Sequence, residues 1–225
     1  MKTVLVCMLV LAGTWGAFAQ SGPARFIEVR GTVEIQDAGS AEWRAASPGD
    51  FIGKNTVVST GFKSSALISL GDSRLSVRPL TRLTLEELIQ RDSTEEINVY
   101  LRTGRIRAEV RPPPGMHSDF TVRAPMATAS VRGTDFEFDT THLYVDSGLV
   151  LMEGAGGQTV YVDAGQRSYV DESSQRVMPP FEAEAALLSP VLSELANTGS
   201  DTGSYGPEIT APGDVSALGI ETEWP

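Results

Sequence analysis

Cysteine is nearly absent from this 225-residue chain: Cys7 is its one example, and it lies in an N-terminal apolar run. No disulfide framework and no cysteine-based zinc set can be built, so the fold must hold together by burial. Histidine is almost as scarce, with His117 and His142 isolated from each other and flanked by turn residues. No Gly-x-Ser-x-Gly elbow occurs, and no glycine-rich loop opens a helix to cradle phosphate. Beyond the N-terminus no apolar run approaches the roughly 20 residues that span a bilayer. Positive charge disappears after Arg176: residues 179–225 hold 8 acids and neither Lys nor Arg. The net charge of −11 argues against a nucleic-acid partner, which calls for a basic surface.

The N-terminus reads as a secretory signal peptide. Lys2 supplies the positive end, Val4 to Gly13 the apolar stretch, and Ala17-Phe18-Ala19 the small-x-small cleavage site, with the cut between Ala19 and Gln20. Cys7 precedes most of that stretch and follows Val6, which does not fit a lipoprotein signal. Cleavage would remove the cysteine and leave a mature chain without a transmembrane segment. The expected organisation is a signal at 1–19, an all-β domain at 20–178 and an acidic, mostly disordered tail at 179–225. The tail is rich in Gly, Ser, Thr, Pro and acids and has too little apolar surface to offset its ordering entropy.

Between 25 and 172 the dominant signal is alternation at period two. Ile27, Val29, Val33 and Ile35 are expected to point one way and Glu28, Arg30, Thr32 and Glu34 the other. Short strands follow at Thr56–Thr60, Ser65–Leu70 and Arg74–Val77, each closed by glycine or proline chemistry. Leu83–Leu88 fits either a strand or a helical turn. Ile97–Leu101 and Arg105–Val110 flank Thr103-Gly104, and Pro112-Pro113-Pro114-Gly115 forms a rigid loop. The densest stretch is Phe120–Phe138. Phe120 and Val122 are inward at even positions, Ala129 and Val131 at odd ones, and Phe136 and Phe138 at even ones again, so the parity changes between Val131 and Phe136. A slip of one residue flips every side chain, so a bulge or corner must intervene, and Val131-Arg132-Gly133-Thr134 is where it falls. The fold expected is a twisted, solenoid-like stack of many short strands, with a β-sandwich as the alternative.

Three blocks resemble the FecR domain family. The first is Pro48-Gly49-Asp50-Phe51-Ile52 with Val58-Ser59-Thr60-Gly61 and Ser65-Ala66-Leu67-Ile68-Ser69-Leu70-Gly71-Asp72. The second is Val99-Tyr100-Leu101 with Thr103-Gly104-Arg105-Ile106, and the third is Phe120-Thr121-Val122-Arg123-Ala124-Pro125 through Val131-Arg132-Gly133-Thr134-Asp135-Phe136. The resemblance implies an all-β, solenoid-like periplasmic module. In the best-known members it is the outer half of a transmembrane sigma-factor regulator, which receives a signal from an outer-membrane transporter. This sequence differs by carrying a signal peptide where those members carry a cytoplasmic anti-sigma domain and a membrane helix. The expected role is therefore a bacterial, non-enzymatic envelope module that binds or signals to another envelope protein, without cofactor or metal.

Other readings attach to particular residues. Arg105, Arg107 and Arg111, or Arg74, Arg78 and Arg82, could present cations to peptidoglycan, surface glycan or lipopolysaccharide phosphate; equally, Asp135, Glu137 and Asp139 could pair with the first row across strands. Asp146-Ser147-Gly148 and Asp201-Thr202-Gly203 have the form of aspartic-protease motifs, but such a site needs two carboxylates on equivalent loops. Both read as turns, with a hydrolase centred on Asp146 the remote alternative. Arg132 has no packing role in the bend, so it either pairs there or faces a partner.

Overall fold

Period-two alternation becomes strands whose apolar sides share one core. The computed structural model describes residues 24–187. In chain order the strands are β1 (Arg25–Arg30), β2 (Val33–Gln36), β3 (Arg44–Ala45), β4 (Thr56–Thr60), β5 (Ser65–Leu70) and β6 (Ser73–Val77). There follow β7 (Arg82–Arg91), β8 (Thr94–Thr103), β9 (Arg105–Glu109), β10 (His117–Arg123), β11 (Ala127–Val131) and β12 (Asp135–Asp139). The last are β13 (His142–Ser147), β14 (Leu149–Gly154), β15 (Thr159–Asp163), β16 (Arg167–Asp171) and β17 (Arg176–Met178). A helix, α1, covers 180–187. The signal peptide with its Ala19–Gln20 cut, the Asp201 tripeptide and most of the acidic tail lie outside the described residues.

Two sheets form. One has the order β1-β5-β6-β9-β12-β13-β16-β17, the other β15-β14-β11-β10-β8-β7-β4-β2-β3. Except at β3, each order follows the sequence from one edge to the other. The chain thus advances steadily while stepping back and forth between two layers. This is a solenoid-like progression with a two-layer core. Both sheets contribute to that core, and Phe120 of β10 meets Phe136 of β12 edge to face at 6.2 Å across the layers.

The steps between sheets sit at the strand ends. Neighbours in the eight-stranded sheet are all antiparallel, so the crossings at 31–32, 61–64, 78–81 and 104 fall at one end. Those at 110–116, 132–134, 148 and 164–166 fall at the other end. The change of end happens through β9. Strand β8 steps to β9 in the opposite sheet and returns as β10, parallel to β8 and paired with it from His117↔Thr94 to Arg123↔Tyr100. The parity slip between Val131 and Phe136 is such a corner: β11 belongs to one sheet and β12 to the other, with Gly133 at φ 135° between them.

Local readings differ from the structure first at Arg25 to Ile35, whose pattern reads as a single strand but which is two strands in different sheets, joined at 31–32. Phe26, not Ile27, is buried; Ile27 is exposed because β1 shifts register against β5 between Phe26 and Glu28. The bulge reverses the inward parity, which restores Val29 to the core side. The ambiguous Leu83–Leu88 segment is strand throughout, the middle of a long β7–β8 hairpin whose turn places Asp92 at φ 52°. After β17, the amides of Glu182 and Ala183 both donate to Pro179 O at 2.9 Å, starting α1, and Ala183 is buried.

Candidate functional site

Three crossings share one local device. At each, a positive-φ glycine lies directly over a buried hydroxyl from a neighbouring crossing, and the residue after the glycine bonds that hydroxyl. Gly31 covers Ser64, and Thr32 N–H donates to Ser64 Oγ at 2.8 Å. Gly104 covers Thr81, whose Oγ1 accepts from Arg105 N–H at 3.0 Å and donates to Arg105 O at 3.1 Å. Gly148 covers Thr134, and Thr134 Oγ1 donates to Leu149 O at 3.1 Å. The hydroxyl satisfies backbone groups that the change of sheet removes from the ladders. Thr60 extends the device, donating to Arg78 O at 2.6 Å and accepting from Thr81 N–H at 3.0 Å. These bonds join the crossings at 61–64, 78–81 and 104 into one rigid rim.

Beside this rim lies an open groove of about 750 Å³, lined by Arg78, Pro79, Leu80, Gly104, Arg105, Glu137, Asp139, Thr140, Thr141 and His142. Strand pairing brings its charges together. β6, β9 and β12 are adjacent, so Arg78 and Arg105 both approach Glu137, at 3.8 Å and 3.4 Å, and Arg105 also reaches Asp139 at 3.4 Å. Asp139 is half-withdrawn from water, which opposes its ionisation. The amides of Thr141 (2.9 Å) and His142 (2.7 Å) outweigh that, holding its carboxyl below the ordinary range, with help from the nearby His142 and Arg105 charges. His142 stacks on Tyr169 at 5.7 Å and contacts Thr141 Oγ1 at 2.9 Å.

Along the same sheet face the arginine row is committed to acids. Arg105 pairs with Glu137 and Asp139, Arg107 with Asp146 at 2.7 Å, and Arg111 with Asp135 through a two-pronged contact at 2.5 Å and 2.8 Å. Arg111 is the main reason the Asp135 carboxyl is held low. Arg107 reaches past Glu137, its cross-strand neighbour, to Asp146 on β13. Asp146 therefore faces a guanidinium rather than a second carboxylate, and the geometry of a proton-sharing pair is not present there. No group of three or more His, Cys, Asp or Glu suited to a metal occurs among the described residues. Arg132 donates to Asp119 Oδ1 at 3.1 Å and remains largely exposed.

Sequence reasoning singled out the arginine row but missed the groove and rim. Leu80 was invisible as a feature, yet it takes φ 57° in the Pro79-Leu80 turn and is 61% exposed. Proline followed by a positive-φ position is a type II turn signal, but the usual residue there is Gly or Asn, and leucine disguised it. A further surface lies at the far edge of the nine-stranded sheet. Among the described residues, β15 pairs only with β14, and Tyr161 at its centre is 64% exposed.

Comparison with known proteins adds the following. Residues 56–155, from β4 into the turn after β14, match the family model described as FecR protein. No curated protein matches the sequence. Two crystal structures of a protein from Parabacteroides distasonis ATCC 8503, assigned as an anti-sigma factor, are matched at 13% and 14% identity with a TM-score of 0.45 each. The first match covers 54% of this chain and 57% of that one; the second covers 64% and 74%. The chain thus spans little more than half of the first of these structures. Among the described residues no helix is long and apolar enough to cross a membrane.

Proposed function

Residues 56–155 form a FecR domain, and on that basis we propose that the protein is a non-enzymatic signalling or regulatory module of the bacterial envelope that binds another protein. The proposed route is export by the 1–19 signal, release after Ala19 and action in the periplasm. The observation that carries the binding mode is the β15 edge. Among the described residues this strand, Thr159–Asp163, pairs only with β14 and carries Tyr161 exposed at its centre, the arrangement that accepts an added strand from a partner, although Asp163 at its end is already bonded by Gln166. A glycan-binding role would require Arg105, Arg107 and Arg111 to leave acids they already contact. A hydrolase centred on Asp146 would require Arg107 to withdraw.

The test is site-specific photo-crosslinking in the native envelope, with the photoreactive residue at Tyr161 and, as a control, at Phe51 on the opposite side of the stack. A single reproducible protein adduct at Tyr161, absent at Phe51, is expected. Recovery of glycan alone, or equal adducts at both positions, would overturn the strand-addition reading.

A further inference from the structure

The rim at the first end of the strands combines two features that an acidic protein has no general reason to place together. Phe62 and Leu80 project from adjacent crossings and are 74% and 61% exposed. Their turns are tied together, since Leu80 N–H donates to Gly61 O at 3.2 Å. Leu80 holds its exposed position at φ 57°, where a branched side chain is strained, and burial inside this protein does not offset that cost.

Around them stand Lys63, Arg82 and Arg102. None of the three has a carboxylate within ion-pair distance among the described residues. Lys63 lies over the Phe62 ring at 5.5 Å, and Arg82 over Trp43 at 5.1 Å. Arg82 opens β7 opposite Thr103, so Arg102 adjoins it on the outer side of the nine-stranded sheet. Of the acids at this end, Glu137 and Asp139 on the eight-stranded sheet are already offset by Arg78 and Arg105, while Glu34 stands two strands from Arg82 on the nine-stranded sheet.

We propose that this rim docks on an anionic lipid bilayer, with Phe62 and Leu80 entering the headgroup boundary and Lys63, Arg82 and Arg102 meeting lipid phosphates. Apolar tips ringed by uncommitted cations match a surface that is apolar beneath and negative above. A soluble anion would use the cations but leave the two apolar tips in water, which is why a bilayer fits better. Pairing with aromatic rings holds the charged heads of Lys63 and Arg82 at the rim.

Co-sedimentation of the mature protein tests this with vesicles of phosphatidylglycerol and phosphatidylethanolamine in equal parts, against vesicles of phosphatidylcholine alone. Binding is expected only to the anionic vesicles and should weaken as salt rises. Lys63→Glu with Arg82→Glu and Arg102→Glu should lower it at least about tenfold. A control with the same charge change elsewhere, Arg25→Glu with Arg91→Glu and Arg176→Glu, should stay within about threefold of the parent protein. Phe62→Ser with Leu80→Asn should lower binding several-fold and leave the thermal midpoint intact, since Asn accepts a left-handed φ. No binding to anionic vesicles, equal loss in the control, or binding indifferent to the Phe62 and Leu80 changes would each overturn the proposal. Capture by polyglutamate without capture by vesicles would overturn it too, and would mark the rim as a site for acidic protein segments.

Discussion

Asp135 shows how single residues on this surface answer to pH. Its carboxyl is held below the ordinary range chiefly by the Arg111 contact, which outweighs the cost of partial burial. A carboxyl whose pKa is lower folded than unfolded adds stability that is complete above the unfolded value and disappears as pH falls through the folded one. Asp135→Asn should therefore cost stability at neutral pH, by no more than about 1 kcal/mol for a pair this exposed. The gap between variant and parent should close below about pH 4, near the unfolded value for aspartate. Urea unfolding across that range checks it, and a gap that widens in acid would show that Asp135 is not stabilised as its ionised form. At this scale the three arginines that first suggested a binding face are each paired with an acid of β12 or β13. The less conspicuous Lys63, Arg82 and Arg102 are among the cations with no carboxylate within ion-pair distance among the described residues, and they are the ones that stand beside exposed apolar tips.

Elements in this fold are defined by their corners. A strand that changes sheet abandons its ladder partners, so each crossing must place its backbone groups elsewhere. The glycine-over-hydroxyl device does so at Gly31, Gly104 and Gly148. Gly104 tests it most sharply, because a Cβ there would lie 2.3 Å from Thr81 Oγ1 and 2.5 Å from Thr81 Cα at a φ of 90°. Backbone cannot yield as a flexible side chain can. Gly104→Ala should cost roughly 2–4 kcal/mol, combining left-handed strain with displacement of the Thr81 corner. Equilibrium unfolding reads this directly, and a loss under about 0.5 kcal/mol would show that the crossings are loosely held. The same rigidity explains how Leu80 can be kept exposed in a strained turn: Thr60 and Thr81 fix the chain on both sides of it.

Across the whole molecule, one core runs through both sheets and the described chain continues past β17 into α1. Residue contacts divide the chain into Met1–Ala185 and Ala186–Pro225, with only the first two residues of the second unit described. We propose that the β domain reaches at least to Ala183, because that residue is buried and its amide donates to Pro179 O at the start of α1. A mature chain ending at Leu187 should keep its thermal midpoint within about 3 °C of the full mature chain, a change of about 1 kcal/mol for a domain of this size. Scanning calorimetry decides this. A fall of ten degrees or more would move the boundary into the acidic segment.

What could be read from sequence is what depends on neighbours in the chain. Period-two burial identified β2, β4, β5, β9, β10 and β12, since alternation alone decides which side of a strand is apolar. The parity slip at Val131–Phe136 announced a corner, because no straight strand can change its inward side. Local pattern failed at β1, where a bulge against β5 moved Ile27 outward, and it left Leu83–Leu88 open until pairing with β8 made it a strand. The rim lay beyond reach for a stronger reason. Phe62, Lys63, Leu80, Arg82 and Arg102 lie in or beside three separate crossings, and only the order of two sheets places those crossings side by side. Sequence by itself determined the all-β class and most inward faces, because those follow from residues a few positions apart. Tertiary structure alone decided which arginines are neutralised and which cations meet exposed apolar tips, because partners distant in the chain, such as Arg78 and Glu137, settle both.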